Sequence, residues 1–302
     1  MGIDKTVVGI SLGSSQRDHE AEIILSGTRV KIRRQGSDGS LARAKELLID
    51  LDGQVDAIGL GGIDRWLVVD GERYAVRDAE MLAAAVKKTP VVDGRGFKEV
   101  FEPKVIRQLL AAGQIDSSQR VLMVSALDRF GMADAFYALG FPTIAGDLIF
   151  SAGLDLPIVS RRELVELARR LLPEVVKRPF AEFYPVGEAQ ETVPDQRFQR
   201  YFDQADIIAG DFHLIRRYLP PVLAGKIVVT NTTTSKDVEN LKQRGVRLLV
   251  TTTPILSGRS FGTNVVEAAM VAVLGVGPDE PGWTHAVESF DMAFSQMDLN
   301  PA

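Results

Sequence analysis

The chain has 302 residues, 45% apolar and 25% charged, with a formal net charge of −5; that length allows two domains and a substantial core, and the charge gives general nucleic-acid binding no electrostatic support. The absence of cysteine excludes disulfides, thiolate nucleophiles and Cys-ligated metals, and the histidines, His19, His213 and His285, are too scattered for a His-rich metal site. No apolar run reaches the roughly 18 residues that span a bilayer, and the opening MGIDKTVVGIS leads straight into a strand-like run with no signal peptide, so a cytoplasmic protein without a membrane partner is expected.

Residues 6–12, TVVGISL, read as a buried strand ending in a GSS turn, and 21–25 and 28–34 as two strands joined at Ser26-Gly27. The helix 40–51 takes Ser40 as its N-cap. The strand VDAIGLGG (55–62) is followed by a hairpin turning at Asp70-Gly71. Then come a helix over 78–88 capped by Asp78, a strand over 89–94 and a helix over 102–113. The polar break QIDSSQ (114–119) predicts a boundary, giving a smaller mixed α/β substrate domain at 1–117.

Beyond it, RVLMVSA (120–126) is apolar throughout, as in a strand buried on both faces of a parallel sheet. A helix over 132–140, the strand FPTIAGD (141–147) and a helix over 160–176 with a Ser160/Glu163 capping box follow. Strand, short helix, strand, helix and strand continue to residue 254, and an apolar helix occupies 264–275. This alternation predicts a Rossmann-like doubly wound parallel sheet over 118–275, with 276–302 as a tail. The segment 177–203 has no clear pattern.

Ligands of such sheets bind outside the strand carboxyl ends, which selects the strand-end loops. The first loop of the second half, SALDRFG, offers Ser125, Asp128 and Gly131 towards a pyrophosphate, without the G-x-G-x-x-G pattern. Asp147, some 20 residues on, stands where an acid grips the ribose hydroxyls of NAD. Its charge favours NAD over NADP, although Arg161 and Arg162 follow it. Asn231 and Thr252, in polar strand-end clusters, are candidates for further ligand contact. His213 and the Gly-rich turn 257–264 with Arg259 are candidate cleft and anion contacts. In the first half, Asp18 with His19 and Asp93 with Lys98 are candidate proton-transfer groups. Burial near another cation is expected to lower the Lys98 pKa towards neutrality. The strand end GLGGID offers Asp64, its glycines read as a tight turn.

The segments SLGSSQRDHEAEI, DAIGLGGID, KKTPVVDGRGFK, ADIIAGDFHLIRRYLP, TNTTTSKDVE and TTTPILSGRSFGTNVVEA together resemble bacterial proteins labelled quinate 5-dehydrogenase, or quinate/shikimate dehydrogenase-like. The resemblance spans most of the chain and implies a two-domain oxidoreductase, dependent on NAD or NADP, acting on a cyclic polyol acid in the cleft between the domains. Authentic shikimate dehydrogenases carry Asn-Val-Thr-x-Pro-x-Lys in the first domain. Here the nearest match, NTTTSK ending at Lys236, lies in the second and lacks the proline, so no lysine role carries over. The opening GISLGSS with its following elements is also similar to one lobe of sugar-kinase and actin-like ATPases. A non-enzymatic ligand sensor is the third reading, and a homo-oligomer is open in all three.

Overall fold

The computed structural model describes residues 5–182, 197–256, 259–290 and 294–300. In chain order the first elements are β1 (Lys5–Ser11), β2 (His19–Leu25), β3 (Thr28–Gly36), α1 (Leu41–Leu51), β4 (Ala57–Gly61), β5 (Trp66–Val69), β6 (Glu72–Ala75), α2 (Arg77–Ala83), β7 (Val91–Val92) and α3 (Arg95–Ala111). The strands β2-β3-β1-β4-β7, in that spatial order, form one sheet, parallel except for β2 at its edge. β1 and β2 are not neighbours, because β3 lies between them. Both hairpin turns have positive φ at the expected pairs, Ser26-Gly27 and Asp70-Gly71, the backbone that matches strand twist. Ser40 caps α1 through its side chain.

Two helix starts differ from the sequence expectation. Asp78 does not cap α2, whose N-cap is Val76; its carboxylate instead accepts the Phe180 N–H at 2.9 Å. Helix α3 begins at Arg95, not 102, and runs through Pro103. Its cap is remote: the Glu267 carboxylate accepts the N–H groups of Gly94 (3.0 Å) and Phe97 (2.6 Å). A residue 170 positions away thus satisfies donors that a helix start leaves unpaired.

The second half contains β8 (Val121–Met123), α4 (Phe130–Ala138), β9 (Thr143–Ala145), α5 (Asp147–Phe150), α6 (Arg161–Val175), α7 (Gln199–Gln204), β10 (Ile207–Ala209), α8 (Phe212–Tyr218), β11 (Ile227–Thr230), α9 (Ser235–Gln243), β12 (Leu248–Thr251), the short β13 (Ile255–Leu256) and β14 (Arg259–Ser260), α10 (Thr263–Leu274), α11 (Trp283–Ser289) and β15 (Ser295–Asp298). The sheet order is β15-β12-β11-β10-β8-β9, parallel except for β15. Counting only its parallel strands by appearance, the order is 2-1-3-4-5, with the winding reversing between β8 and β10. Helices cover both faces: Val121, Met123 and Val229 pack towards α3, α4 and α10, while Leu122, Ile208 and Leu249 pack towards α7, α8 and α9.

Two helices of the second half return to the first sheet. On α6, Val165, Ala168 and Leu172 join the core of Val8, Ile10 and Ile58. Helix α10, expected in the second domain, lies against β1 and β4, with Asn264 Nδ2 donating to the Gly59 carbonyl at 3.1 Å. A Cβ at Gly9 or Gly59 would lie 2.5 Å from Val265 or Asn264. The glycines of GLGG that sit within β4 therefore admit a helix.

Candidate active site

The strand carboxyl ends of both sheets open on one cavity of about 420 Å³. The first sheet contributes Ser11 at the end of β1, Gly62–Asp64 after β4 and Asp93 after β7; the second contributes Ser125 and Leu127–Arg129 after β8, Asp147 after β9, Asp211 after β10 and Asn231 after β11. This matches the rule that places ligands of open α/β sheets outside strand carboxyl ends.

At its centre the Lys98 Nζ lies 2.8 Å from Asp64 Oδ2 and 2.8 Å from Asp128 Oδ1. Lys98 is carried by α3, Asp64 by the loop after β4 and Asp128 by the loop after β8, so the cluster joins both halves of the chain. Behind it Arg129 pairs with Glu102, both buried, and Arg129 also stands 3.7 Å from Asp128 and 3.8 Å from Asp211. Burial alone would lower the Lys98 pKa; the Asp128 and Asp64 carboxylates outweigh it and hold the ammonium firmly protonated. The expectation of a lysine tuned towards neutrality is therefore corrected: its neighbours are two anions. Burial, then the neighbouring Asp128, pushes the Asp64 pKa well above the usual carboxylate range. Burial acts upward on Asp128 too, but Lys98, the Asp64 hydrogen bond and Arg129 prevail and hold it below that range.

Another wall is built around Arg17, from the short 3₁₀ turn Ser15–Arg17. Its Nη1 donates to His213 Nε2 at 2.9 Å and its Nη2 to the Thr232 carbonyl at 3.3 Å, bridging the first sheet to the second. Burial, then the Arg17 charge, pushes the His213 pKa down to about 4, so the imidazole is a neutral acceptor. Thr232 holds a left-handed φ of +43°, a conformation that costs energy for a β-branched residue and is commonest at ligand sites. Beside it Asn231 is 5% exposed, and its Oδ1 has no hydrogen-bond partner among the described residues. A buried acceptor without a donor is costly, and a ligand hydroxyl or amine would satisfy it.

The remaining sequence candidates divide. His19 lines the cavity, its ring tilted 39° against Phe261 at 4.6 Å, with Nδ1 at 3.0 Å from the Arg17 carbonyl. Asp18 does not pair with it: its carboxylate binds Arg34 (2.7 Å) and the Gly36 N–H (2.7 Å), bracing the loop against β3. Asp18 ends the 3₁₀ turn before β2 begins at His19, and its bonds to Arg34 and Gly36 hold its carboxylate away from the imidazole. Asp93 lines the cavity, but its oxygens accept the N–H groups of Arg65 (2.6 Å) and Arg95 (3.1 Å), which makes it chiefly a brace. Ser125 lines the cavity and accepts the Asp211 N–H at 3.0 Å. Thr252 is fully buried away from the cavity, bonded to Glu102 at 3.3 Å. Gly131 lies in the first turn of α4, where a Cβ would meet the Glu99 backbone of α3 at 3.2 Å. Residues 257 and 258 of the Gly-rich turn and the Arg259 side chain lie outside the described residues.

Asp147 has another task than expected. Its carboxylate accepts the N–H groups of Ala126 (3.1 Å) and Leu127 (2.9 Å), closing the β8–α4 loop on itself. Those are the donors a pyrophosphate would use. With Gly131 packed beneath α3, the residues of this loop do not fit a dinucleotide in the expected pose. No described group of acidic or His side chains could hold a metal ion, and no described helix is long and apolar enough to cross a membrane.

In the sequence Arg17 is one polar residue among several in the 11–20 loop, Asp64 is the polar end of a glycine turn, and no local signal marks Glu102 or Arg129. A helix start at Arg95 rather than 102 puts Lys98 and Glu102 four residues apart on one helix face.

The model of a family described as a domain of unknown function, DUF8754, matches residues 96–299, more than half of the chain. The chain belongs to that family. A second model, DUF8753, also a domain of unknown function, matches residues 6–93, so the two matches meet at the β7–α3 turn. No curated protein matches. Solved structures show weak likeness. A Mycobacterium smegmatis protein in complex with β-D-fucofuranose is 10% identical, over 95% of this chain and 99% of its own, at a TM-score of 0.35. The hetero-hexameric glutamate dehydrogenase of Thermus thermophilus is 14% identical, over 94% and 73%, at 0.41. An ABC transporter solute-binding protein from Burkholderia multivorans is 11% identical, over 97% and 99%, at 0.37.

Proposed function

We propose that the cleft is the active site of an enzyme acting on a small hydroxylated acid by acid–base chemistry at one of its oxygens. The observation that carries this is the Lys98 ammonium held 2.8 Å from two carboxylates whose pKa values are driven apart. Such a pair separates a proton donor from an ionised partner. In this reading Asp64, 19% exposed at its side chain, delivers a proton to a substrate carbonyl oxygen while the ionised carboxylate of Asp128 takes one from the carbon beside it, forming an enol that can revert. Lys98 stays charged and stabilises negative charge developing on that oxygen. Arg17 offers a cation to the substrate carboxylate, and Asn231 accepts from a hydroxyl. The second sheet keeps a Rossmann-like layout, with Asp147 closing its first loop, and serves as a wall of the cleft; the quinate/shikimate class remains the substrate reading.

The test is calorimetric titration with quinate, shikimate and 3-dehydroquinate, with and without NAD or NADP, paired with deuterium uptake beside the ketone of 3-dehydroquinate in D₂O. We expect acid binding without nucleotide, and exchange that falls roughly 100-fold in Asp64→Asn, the usual scale of general catalysis. Binding that requires NAD or NADP would replace this reading with the dehydrogenase one. Binding without exchange would make the protein a sensor, and no binding of any acid would refute the substrate class.

A further inference from the structure

The cavity has a second, apolar part. Leu67, Val76, Leu127 and Leu148 line it, facing Leu167, Leu171 and Val175 of α6. The sequence of α6 explains why this surface exists. Val165, Ala168 and Leu172 form the stripe that packs on the first sheet. Leu167, Leu171 and Val175 recur every four residues and form a second stripe beside it. That stripe is only partly used by the core: Leu167 packs against it but is half-buried, Val175 is half-buried and Leu171 is 39% exposed. The opposite face carries Arg162, Glu166, Arg169 and Glu174 in solvent, so α6 is apolar over a wider arc than its packing requires.

The two parts are continuous. Leu127 directly precedes Asp128 and Leu148 directly follows Asp147, so each apolar contact adjoins a carboxylate of the polar end. Leu67 lies in the β5–β6 hairpin that follows Asp64. A molecule whose reacting oxygen rests on Lys98 thus has an apolar wall next to it, which a polyol ring alone would leave wet.

We infer that the substrate is amphipathic: a hydroxylated acid that also carries a branched or aromatic apolar group, seated against Leu67, Leu127, Leu148, Leu167 and Leu171. This rests on the acid-binding reading above and extends it. The test compares quinate with its caffeoyl ester, chlorogenate, by calorimetry, and follows the fluorescence of anilinonaphthalene sulfonate as a probe of the apolar part alone. Burying an aromatic arm at about 25 cal/mol per Å² is expected to make chlorogenate bind at least tenfold more tightly than quinate. In Leu171→Asn the ratio of the two affinities should fall towards one, and probe fluorescence should fall with it; a ratio is insensitive to loss of folded protein. Equal affinities in the parent protein would overturn the inference and leave the acid site standing. A fluorescent response that Leu171→Asn abolishes, with neither acid bound, would support the apolar subsite and defeat the hydroxylated-acid reading. A response unchanged by Leu171→Asn would overturn the assignment of these residues.

Discussion

Replacing Lys98 by methionine removes the one ammonium between Asp64 and Asp128 while keeping most of the side-chain volume. The side chain of Lys98 is 7% exposed, and those of Asp64 and Asp128 are 19% and 24% exposed, so water can replace the lost partner only in part. Two charge-assisted hydrogen bonds of 2.8 Å disappear. Breaking a buried ion pair on one side costs about 3–5 kcal/mol, and Arg129, 3.7 Å from Asp128, offsets part of this, which suggests about 3 kcal/mol at pH 8. The loss depends on pH with a definite sign. Without Lys98, the Asp64 pKa rises further above its unfolded value and the Asp128 pKa rises from below it. The stability of the variant is then fully present below the unfolded pKa and is lost as pH rises through the folded one. Each extra proton bound by the folded variant changes stability by about 1.4 kcal/mol per pH unit, so the deficit should shrink by at least ~1 kcal/mol between pH 8 and pH 5. Urea unfolding of parent, Lys98→Met, Asp128→Asn and the double variant at both pH values measures this. A deficit equal at pH 5 and pH 8, or additivity of the two substitutions within ~0.5 kcal/mol, would refute the coupled cluster.

Two further outcomes are expected. Burial pushes the Asp147 pKa up to about 6 against the opposing amide bonds from Leu127 and Ala126, so its contribution to stability is full below its unfolded pKa near 3.8 and is lost as pH rises through 6; Asp147→Asn should remove ~3 kcal/mol of that pH dependence, read as the difference between the two unfolding profiles from pH 3.5 to 7.5, and parallel profiles would contradict it. In Gly59→Ala the new Cβ would stand 2.5 Å from the Asn264 carbonyl oxygen in α10, a backbone atom that cannot swing aside, so a loss of ~2 kcal/mol or more in thermal unfolding is expected, whereas Gly71→Ala, with nothing within 4 Å, should lose only the milder cost of its positive φ.

The sequence by itself determined what depends on near neighbours in the chain. Continuous apolar runs such as VLM and IVV marked strands buried on both faces, Ser40 and Ser160 marked helix starts, and Asp70-Gly71 marked a hairpin, because periodicity and turn chemistry act within a few residues. The rule of strand carboxyl ends also brought Lys98, Asp93, His19, Ser125, Asp128, Asp147 and Asn231 to the cavity wall. Which of these carry charge chemistry was decided only in three dimensions. Lys98 meets Asp64 and Asp128 from positions 34 and 30 residues away, Asp147 spends its carboxylate on a loop 20 residues upstream, and Glu267 caps a helix 170 residues distant. A carboxylate next in sequence to a histidine, as Asp18 is to His19, looked like a pair and is not one. Hydrogen bonds and ion pairs act over about 3 Å, and that separation is set by how α3, α6 and α10 pack between the two sheets, a property of the whole chain that no local pattern encodes.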